Sequence, residues 1–333
     1  MLKWHKGECT NVKRKRTLLV EVARAYYERD YTQQEIAQTL GLSRSQVSRY
    51  LSEAREQGIV QIRIIDPDTR ANEVEDALKA RFPALRDALV VPAFTDQAAV
   101  LVKTVGRACA EYLRARIAPG QRLCIGCGRT LRETVNWMRK RTVSNVTVIQ
   151  AMGSLGHEAA LNLDFNELAR AAADKLGARV LYLNAPAVLG AGTATELAAA
   201  NPSIAHSLRL ARTADVYVVG LGSPAADYLY VRTGAIGPED LDAVAQRGAV
   251  GDICGRYFDL WGQVCVSTFD ARVVGITLDD LRRAPLSVGV AGGAQKVAPL
   301  LGALRGEFIN VVVTDEQTAR QVLALADSTE RGV

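Results

Sequence analysis

Residues with the chemistry of a ligand site follow the ends of several short apolar runs. The segment Gly126–Thr130 has two glycines that let backbone amides approach an anion, together with a cationic and a hydroxyl side chain. Asp252 lies in a loop of small residues, and Lys296 follows a pair of glycines. A carboxylate accepts hydrogen bonds from hydroxyl groups, and an ammonium group pairs with anionic oxygens. This combination indicates a ligand that carries a phosphate and hydroxyl groups, as a phosphorylated sugar or polyol does.

The members of this candidate set share a position at or beside the carboxyl end of a predicted strand. They are Gly126, Gly128, Arg129, Thr130, Gly222, Asp252 and Lys296. Two plainer interpretations stay open, because glycines in such turns often serve only steric needs, and Asp252 with Lys296 would also form an ordinary ion pair. The third glycine of a dinucleotide fingerprint and the lysine of a nucleotide P-loop are missing from this turn. We therefore predict no cofactor.

A second group of polar side chains occupies one face of a predicted helix that follows Ser43. Its outward residues are Arg44, Ser45, Gln46, Ser48 and Arg49. Such donors and acceptors suit base edges and phosphates when they lie in the N-terminal half of a recognition helix. This face is therefore predicted to bind double-stranded DNA.

The DNA contacts are expected to divide into two classes. Arg44, Gln46 and Arg49 are the candidates for contact with bases. Thr32, Gln33 and the basic run 13–16 are expected to hold phosphates and set the register. An alternative for Arg49 is an ion pair with Glu53, one helical turn further along.

Two capping boxes define the helices that must position these side chains. A Thr-x-x-Glu pattern from Thr32 opens a short helix that Gly41 ends, and a Ser-x-x-Gln pattern from Ser43 opens the next helix. Ala37 is small where the two helices cross, and Val47 faces the first helix. Two short helices joined by a glycine-centred turn are typical of a helix-turn-helix, with a purely structural three-helix bundle as the alternative.

The net charge of +5 is confined to the first fifth of the chain. Residues 1–64 contain 12 Lys or Arg and 7 Asp or Glu, and the remaining residues contain 29 of each. A small basic module on a large neutral body predicts a polyanionic partner for the module alone.

Beyond residue 88 the chain alternates apolar strands with helical patterns. The clearest strands are predicted at 89–91, 123–125, 146–149, 180–183, 216–219, 286–290 and 309–313. Continuous apolar strands between helices indicate a doubly wound, mainly parallel α/β sheet covered on both faces. The predicted organisation is a basic, disordered extension (1–16), an all-α helix-turn-helix domain (17–58), a linker strand and helix (59–87), and a ligand-binding and oligomerisation domain (88–328).

The composition is that of a globular protein, with 48% hydrophobic and 23% charged residues in 333. No apolar run reaches the roughly 18 residues of a membrane span, and no signal peptide is evident, so we expect a cytoplasmic protein that does not contact a membrane. The six cysteines are expected to be reduced thiols. Cys124 and Cys127 have the spacing of a zinc or redox pair, but no second pair or nearby histidine accompanies them. We predict no metal site and keep a redox or zinc switch as an alternative.

The chain resembles the SorC family of bacterial transcriptional regulators, also called the SorC/DeoR sugar-binding type, from about residue 18 to residue 327. Six ordered segments carry the resemblance: Thr32–Leu51, Gly126–Leu131, Leu183–Ala187, Gly248–Gly255, Ala291–Lys296 and Asn310–Glu316. The resemblance implies an effector domain related in fold to sugar-phosphate isomerases and glucosamine-phosphate deaminases. It also implies that a phosphorylated sugar bound there changes the binding of operator DNA.

Carried over by position, Gly126, Gly128, Arg129 and Thr130 look like the phosphate loop of the family, and Asp252 and Lys296 look like its effector-contacting acid and lysine. Cys127 stands where bulkier residues are common, which leaves the identity of the effector open. The predicted protein is a regulator of a carbohydrate-utilisation operon. It is expected to form dimers or tetramers on a palindromic operator and to have no catalytic residues. The alternative is a sugar-phosphate isomerase-like enzyme fused to a DNA-binding module, with Asp252 as base and Lys296 as electrophile.

Overall fold

The computed structural model describes residues 8–29, 31–60, 72–92, 97–155, 165–224 and 229–330. The chain forms two compact units, residues 1–65 and residues 66–333. Helices build the described part of the first unit, whereas a parallel sheet with helices on its faces builds the second. Within the described ranges, no helix is both long enough and apolar enough to cross a membrane.

The described residues of the first unit form three helices: α1 (Glu8–Tyr27), α2 (Gln33–Leu40) and α3 (Arg44–Glu56). Both predicted capping boxes are present. The Thr32 hydroxyl accepts a hydrogen bond from the Glu35 amide at 3.3 Å, and the Ser43 hydroxyl accepts one from the Gln46 amide at 3.2 Å. Gly41 ends α2 with a φ of 65°, a left-handed conformation that favours glycine. The predicted helix-turn-helix is therefore formed.

The three helices share a small apolar core. Its buried members include Val22, Ile36, Ala37, Val47 and Leu51. Ala37 and Val47 thus occupy the crossing and facing positions that the sequence assigned to them. Buried apolar area supplies most of the stability of such short helices, because isolated helices of this length are marginal in water.

The ends of the first unit differ from the sequence-based expectation. Residues 8–16 were expected to be disordered, but they continue α1, since no glycine or proline interrupts its hydrogen bonding there. A strand was expected from residue 59, but the Val60 amide donates to the Ala54 carbonyl at 3.0 Å and the chain turns back onto α3. Residues 61–65 of that predicted strand lie outside the described residues.

The second unit contains twelve helices and nine strands within the described ranges. The helices are α4 (Asn72–Arg81), α5 (Ala98–Arg116), α6 (Arg129–Trp137), α7 (Phe165–Leu176), α8 (Ala194–Ala200), α9 (Pro202–Arg212), α10 (Leu229–Arg232), α11 (Pro238–Ala245), α12 (Thr268–Arg272), α13 (Leu278–Arg282), α14 (Val297–Arg305) and α15 (Glu316–Glu330). The strands are β1 (Asp87–Val91), β2 (Arg122–Ile125), β3 (Thr147–Gln150), β4 (Arg179–Leu181), β5 (Val216–Gly220), β6 (Ala249–Ile253), β7 (Arg256–Asp259), β8 (Leu286–Val290) and β9 (Val311–Asp315).

Seven strands form one sheet in the order β1-β9-β8-β5-β2-β3-β4, and every neighbouring pair is parallel. All seven predicted strands are found in this sheet, and the predicted α/β fold class is confirmed. The edge strand β4 ends two residues earlier than expected, because the Leu183 amide donates to the Gln150 side chain at 2.7 Å instead of joining the ladder.

Alternate residues along the strands enter two different apolar cores. In β5, for example, Tyr217 and Val219 pack into one cluster, and Val216 and Val218 pack into the other. Both faces of the sheet are therefore buried, as is usual for a parallel sheet. Helices cover the faces, and the ends of the strands are left to the loops.

Strands β6 and β7 form a separate antiparallel hairpin that was not predicted. Its two-residue tip consists of Cys254 and Gly255, with φ values of 51° and 77°. Two consecutive residues with positive φ are the requirement of a type I′ turn, which matches the twist of the strands. Because small residues alternate along this segment, it contains no continuous apolar run that would have predicted its strands.

Helix α4 belongs to the core of the second unit, although residues 59–87 were expected to be a linker. Val74 and Leu78 are buried in the same apolar cluster as residues of β1. The buried Glu75 carboxylate accepts a hydrogen bond from the Val90 amide at 2.8 Å. Helix α4 therefore packs against the edge strand β1 and is part of the domain.

The hydroxyl group of Tyr217 generates a stability prediction. Tyr217 is 1% exposed, and its hydroxyl donates to the Ala211 carbonyl at 2.8 Å and accepts from the Ala214 amide at 3.1 Å. Tyr217→Phe leaves both backbone groups unpaired in the core, so we expect the free energy of unfolding to fall by about 1–3 kcal/mol. The measurement is urea denaturation, with the half-buried Tyr182→Phe as the control. Equal losses of stability in the two variants would show that the hydrogen bonds of the Tyr217 hydroxyl do not stabilise the core.

Candidate functional site

The strand order reverses between β2 and β5, which are neighbours in the sheet. From β2 the chain proceeds to β3 and β4 on one side, and it then returns to β5 on the other side of β2. In open α/β sheets, ligands bind in the crevice outside the carboxyl ends of the strands at such a switch point. The candidate site therefore lies at the carboxyl ends of β2, β5 and their neighbour β8.

The end of β2 leads directly into the first turn of α6. Gly128 precedes the helix with a φ of 140°, and a Cβ atom there would project into open space. The first bond into this helix is donated by the Arg132 amide to the Gly128 carbonyl at 2.9 Å. The amides of residues 129–131 have no acceptor within the described part of the chain, as is normal for a helix start. These amides and the positive end of the helix dipole form a site suited to an anion.

Gly126 has a different role from the one expected of a phosphate loop. Its amide donates to the Val218 carbonyl at 2.9 Å, so it is already occupied. A Cβ atom on Gly126 would lie 3.4 Å from the Cys254 sulfur and 3.5 Å from Leu131. Gly126 thus brings the end of β2 against the hairpin, and the amides without an acceptor among the described residues follow Gly128.

The hairpin is joined to the end of β5 through the main chain. The Gly222 amide donates to the Asp252 carbonyl at 2.9 Å, so Gly222 fixes the hairpin and offers no free amide. The Asp252 side chain is 1% exposed, and one of its carboxylate oxygens accepts from the Gly255 amide at 3.0 Å. Asp252 is therefore held in a fixed position beside the switch point.

Lys296 lies in a short 3₁₀ turn, Ala294–Lys296, beyond the end of β8, and it is half-buried. The turn is held by a residue that the sequence analysis missed. Asp315, at the end of β9, accepts from the Gly293 amide at 2.8 Å and from the Thr318 hydroxyl at 2.7 Å. The sequence signal that could have identified Asp315 is a carboxylate at the end of an apolar strand. Because β8 neighbours β5, this turn brings Lys296 to the same edge of the sheet as Gly222.

A buried polar cluster adjoins Asp252 and was also missed. Besides Asp252 it contains Tyr230, Cys254 and Tyr257, which are 4%, 8% and 2% exposed. The Tyr230 hydroxyl donates to the Met152 sulfur at 3.0 Å. Burial and the charge of Asp252 raise the pKa of the Cys254 thiol well above its ordinary value. These side chains come from segments far apart in the sequence, so only the fold reveals the cluster.

The thiol pair considered for zinc or redox chemistry is poorly placed for it. Cys124 is completely buried within β2, and burial raises the pKa of its thiol well above the usual range. Thiol exchange requires a reactive thiolate, and among the described residues no group of three or more His, Cys, Asp or Glu side chains could hold a metal ion. The zinc or redox alternative is thus disfavoured at Cys124.

The predicted DNA-contacting side chains lie on the surface of the first unit. Those of Thr32, Arg44, Ser45, Ser48 and Arg49 are exposed, and those of Gln33 and Gln46 are half-buried. Two of them also serve the capping boxes. Thr32 donates to the Glu35 carboxylate at 2.8 Å, and the Gln46 side-chain oxygen accepts from the Ser43 amide at 2.8 Å.

The ion-pair alternative for Arg49 is not realised. Glu53 pairs instead with Lys15 at 2.6 Å, and the Arg49 guanidinium lies 5.7 Å from the centre of the Tyr50 ring. Arg49 therefore stays oriented along the exposed face of α3. Lys15 is partly committed to Glu53, which weakens its case as a phosphate contact, and the other side chains of the run 13–16 lie outside the described part of the structure.

Beside this face lies a concave surface that sequence reasoning did not identify. It is lined by Tyr26, Tyr27, Tyr31, Thr32, Gln33, Gln34 and Arg44. Tyr27 and Tyr31 are 38% and 43% exposed, which is high for large aromatic side chains. The starts of α2 and α3 thus share one polar and aromatic surface.

Two protein families match nearly the whole chain. Residues 15–69 match the Crp-like helix-turn-helix domain, and residues 66–324 match the family described as "Putative sugar-binding domain". The boundary between the two matches lies close to the boundary between the two compact units.

Individual relatives extend this similarity over both units. The chain is 32% identical over 309 residues to the deoxyribonucleoside regulator of Bacillus subtilis (strain 168), covering 93% of this chain and 98% of the relative. It is 31% identical over 322 residues to the sorbitol operon regulator of Klebsiella pneumoniae, covering 92% and 97%. The solved structure of the full-length Klebsiella pneumoniae sorbitol operon regulator SorC matches with a TM-score of 0.68 at 30% identity, over 93% of this chain and 99% of that one.

The buried carboxylate of Asp315 generates the prediction for this site. Asp315→Ala removes the acceptor for the Gly293 amide and for Thr318, so we expect the free energy of unfolding to fall by about 2–4 kcal/mol. The measurement is urea denaturation. The exposed Asp242→Ala is the control and should change stability by at most about 0.5 kcal/mol. A variant Asp315→Ala as stable as this control would show that the Gly293 turn does not depend on the carboxylate.

Proposed function

The chain belongs to the SorC/DeoR-type family of sugar-binding transcriptional regulators, and from this premise we propose that a phosphorylated sugar or polyol controls its binding to operator DNA. The observation that carries the proposal is the juxtaposition at the switch point. The unpaired amides at the start of α6 follow β2, and the buried Asp252 is fixed beside them through Gly222 at the end of β5. The first would hold a phosphate and the second would accept hydrogen bonds from hydroxyl groups.

In the DNA-binding unit, we propose that α3 contacts the bases and that the start of α2 contacts the phosphates of the DNA. Arg44 and Arg49 are exposed and lie on α3, and arginine is the commonest side chain that reads guanine. Gln46 keeps its amide NH₂ group for DNA while its oxygen serves the cap. Ser45 and Ser48 are proposed to contribute shorter contacts from the same helix, and Thr32 and Gln33 to approach the DNA backbone.

For the ligand-binding unit, Gly128, Arg129 and Thr130 are proposed to hold the phosphate, and Asp252 and Lys296 to hold the hydroxyl end of the same ligand. Gly126 and Gly222 support this site by close packing and by a main-chain bond. A ligand that contacts several strand ends would link loops that come from separate parts of the chain. Only a ligand whose affinity differs between two arrangements of the domain can change operator affinity.

We further propose that this site binds its ligand without chemical turnover. The curated relatives named above are regulators. One carboxylate oxygen of Asp252 already accepts from the Gly255 amide, which suits a fixed acceptor better than a base that must gain and lose a proton. Conversion of sugar phosphates by the purified protein, followed by chromatography, would contradict this proposal.

The effector class is tested by a thermal-shift screen. Pentose, hexose and hexitol phosphates are compared with the same sugars and polyols without phosphate. A ligand at 100 times its Kd adds about 2.7 kcal/mol to the free energy of unfolding, which is readily measured. Stabilisation by the unphosphorylated compounds alone would contradict the phosphate assignment.

The DNA contacts are tested with Arg44→Ala and Arg49→Ala. If each arginine reads a base, its loss should weaken specific binding by about 1–3 kcal/mol and relax the preference at one position. The DNA is a site selected from a random double-stranded pool, and affinity is measured by fluorescence anisotropy at several salt concentrations. Arg55→Ala, at the C-terminal end of the same helix, is the control. Unchanged affinity and preference in both test variants would refute the interface.

The coupling is tested with Asp252→Asn and Lys296→Ala. Both variants should keep the operator affinity of the wild type, because neither residue lies in the DNA-binding unit, but they should lose the change that the effector causes. The measurement is operator affinity with and without the sugar phosphate found in the screen, and Asp242→Asn is the matched surface control. A full effector response in both variants would remove these residues from the site.

Oligomerisation is proposed because one small helix-turn-helix buries too little surface for tight and specific binding. Two such modules on a two-fold axis would bind a palindromic site. Light scattering of the purified protein is therefore expected to give a dimer or tetramer of the 35.9 kDa chain. A monomer both free and on DNA would contradict this expectation.

A further inference from the structure

Tyr257 carries a hydroxyl group that is buried and has no hydrogen-bond partner among the described residues. The side chain is 2% exposed, and its ring packs edge-on against Phe269 with the ring centres 5.9 Å apart. Buried polar groups in folded proteins are nearly always hydrogen-bonded, because an unpaired one costs its full desolvation energy. A buried hydroxyl that the described residues leave unsatisfied is available to a partner such as a bound ligand.

The register of the hairpin places this hydroxyl in the candidate site. Tyr257 on β7 is directly opposite Asp252 on β6, and side chains of opposite residues lie on the same face of an antiparallel pair. The main chain of Asp252 is bonded to Gly222, at the end of β5 and beside the switch point. Tyr257 therefore belongs to the part of the site that we assign to the hydroxyl end of the ligand.

The surroundings keep the Tyr257 phenol protonated. Burial, followed by the charge of Asp252, raises the pKa of Tyr257 well above its ordinary value. The neighbouring Tyr230 has its pKa raised by the same two causes. At neutral pH Tyr257 is thus a hydrogen-bond donor next to Asp252, which is an acceptor. A sugar hydroxyl can donate to one and accept from the other, so this pair is complementary to it.

We propose that the Tyr257 hydroxyl donates a hydrogen bond to a hydroxyl oxygen of the bound sugar or polyol and so selects ligands that carry an oxygen at that position. The inference rests on the proposed function, because it concerns the same ligand at its end remote from the phosphate. A site built to bond a ligand hydroxyl rejects an analogue that lacks it, since its own polar group is then left unpaired. Tyr257 is accordingly a specificity-determining residue.

The chain offers a matched control for this proposal. Tyr217 is as deeply buried as Tyr257, but both hydrogen bonds of its hydroxyl go to the main chain. Removing the oxygen with Tyr217→Phe should lower stability and leave ligand affinity unchanged. Removing it with Tyr257→Phe should leave the stability of the free protein unchanged or higher, and it should lower the affinity for the ligand. The two variants thus have opposite expected patterns.

The experiment measures the unfolding temperature and the Kd of the full-length wild type, Tyr257→Phe and Tyr217→Phe. The probes are sorbitol 6-phosphate, fructose 6-phosphate, ribose 5-phosphate and inorganic phosphate, followed by the deoxy analogues of whichever sugar phosphate binds. We expect Tyr257→Phe to raise the Kd for that sugar phosphate by about five- to hundredfold. Inorganic phosphate should bind the wild type and Tyr257→Phe equally. For one deoxy analogue, the affinities of the wild type and Tyr257→Phe should also become equal.

The outcomes separate this inference from the proposal on which it rests. If a sugar phosphate binds the wild type and Tyr257→Phe with the same Kd, the inference is overturned and the proposed effector site is not. The same conclusion holds if Tyr257→Phe destabilises the free protein as Tyr217→Phe does, because the hydroxyl would then serve the fold. If none of the sugar phosphates binds the wild type, the proposed function fails and this inference fails with it.

Discussion

A parallel sheet that is buried on both faces determines where polar chemistry can occur in the ligand-binding unit. Helices must cover the two faces, so charged and polar side chains are confined to the ends of the strands. Gln150 and Asp315 follow this rule, because each is the buried last residue of its strand. Each accepts a hydrogen bond from the main chain of a neighbouring loop, at Leu183 and Gly293 respectively. The edge that holds the candidate site is therefore organised by the same burial that stabilises the sheet.

The loops at this edge come from separate parts of the chain, and different strands hold them. The hairpin is joined to β5 through Gly222 and lies against Gly126 by close packing, whereas the turn with Lys296 is fixed to β9 through Asp315. Each loop is thus anchored to a different strand. A ligand that binds two or more of them would add a connection between these strands. Through such a connection, occupancy of the proposed site would change the domain arrangement.

Much of the fold follows from local patterns in the sequence. The two capping boxes and the seven apolar strands were predictable, because a cap needs residues only three positions apart and a buried strand needs a continuous apolar run. The hairpin was not predictable in this way, since Gly251 and Asp252 interrupt its apolar pattern. Asp252 itself was recognised from its type and loop, but its partners Tyr230 and Tyr257 lie in other segments. Their proximity is a property of the tertiary structure, and a single sequence does not encode it in any local spacing.

The type I′ turn at the tip of the hairpin has a consequence for how this protein can change during evolution. Asparagine or glycine is favoured at a position with positive φ, but Cys254 occupies the first position of the turn with a φ of 51°. Its sulfur is buried beside Gly126, so the side chain at this position lies next to the candidate site. A replacement that suits the turn better would also change the shape and polarity of the protein beside that site. If the proposed ligand binds there, the same residue would adjust the stability of the hairpin and the selectivity for the ligand, and selection on one trait would constrain the other.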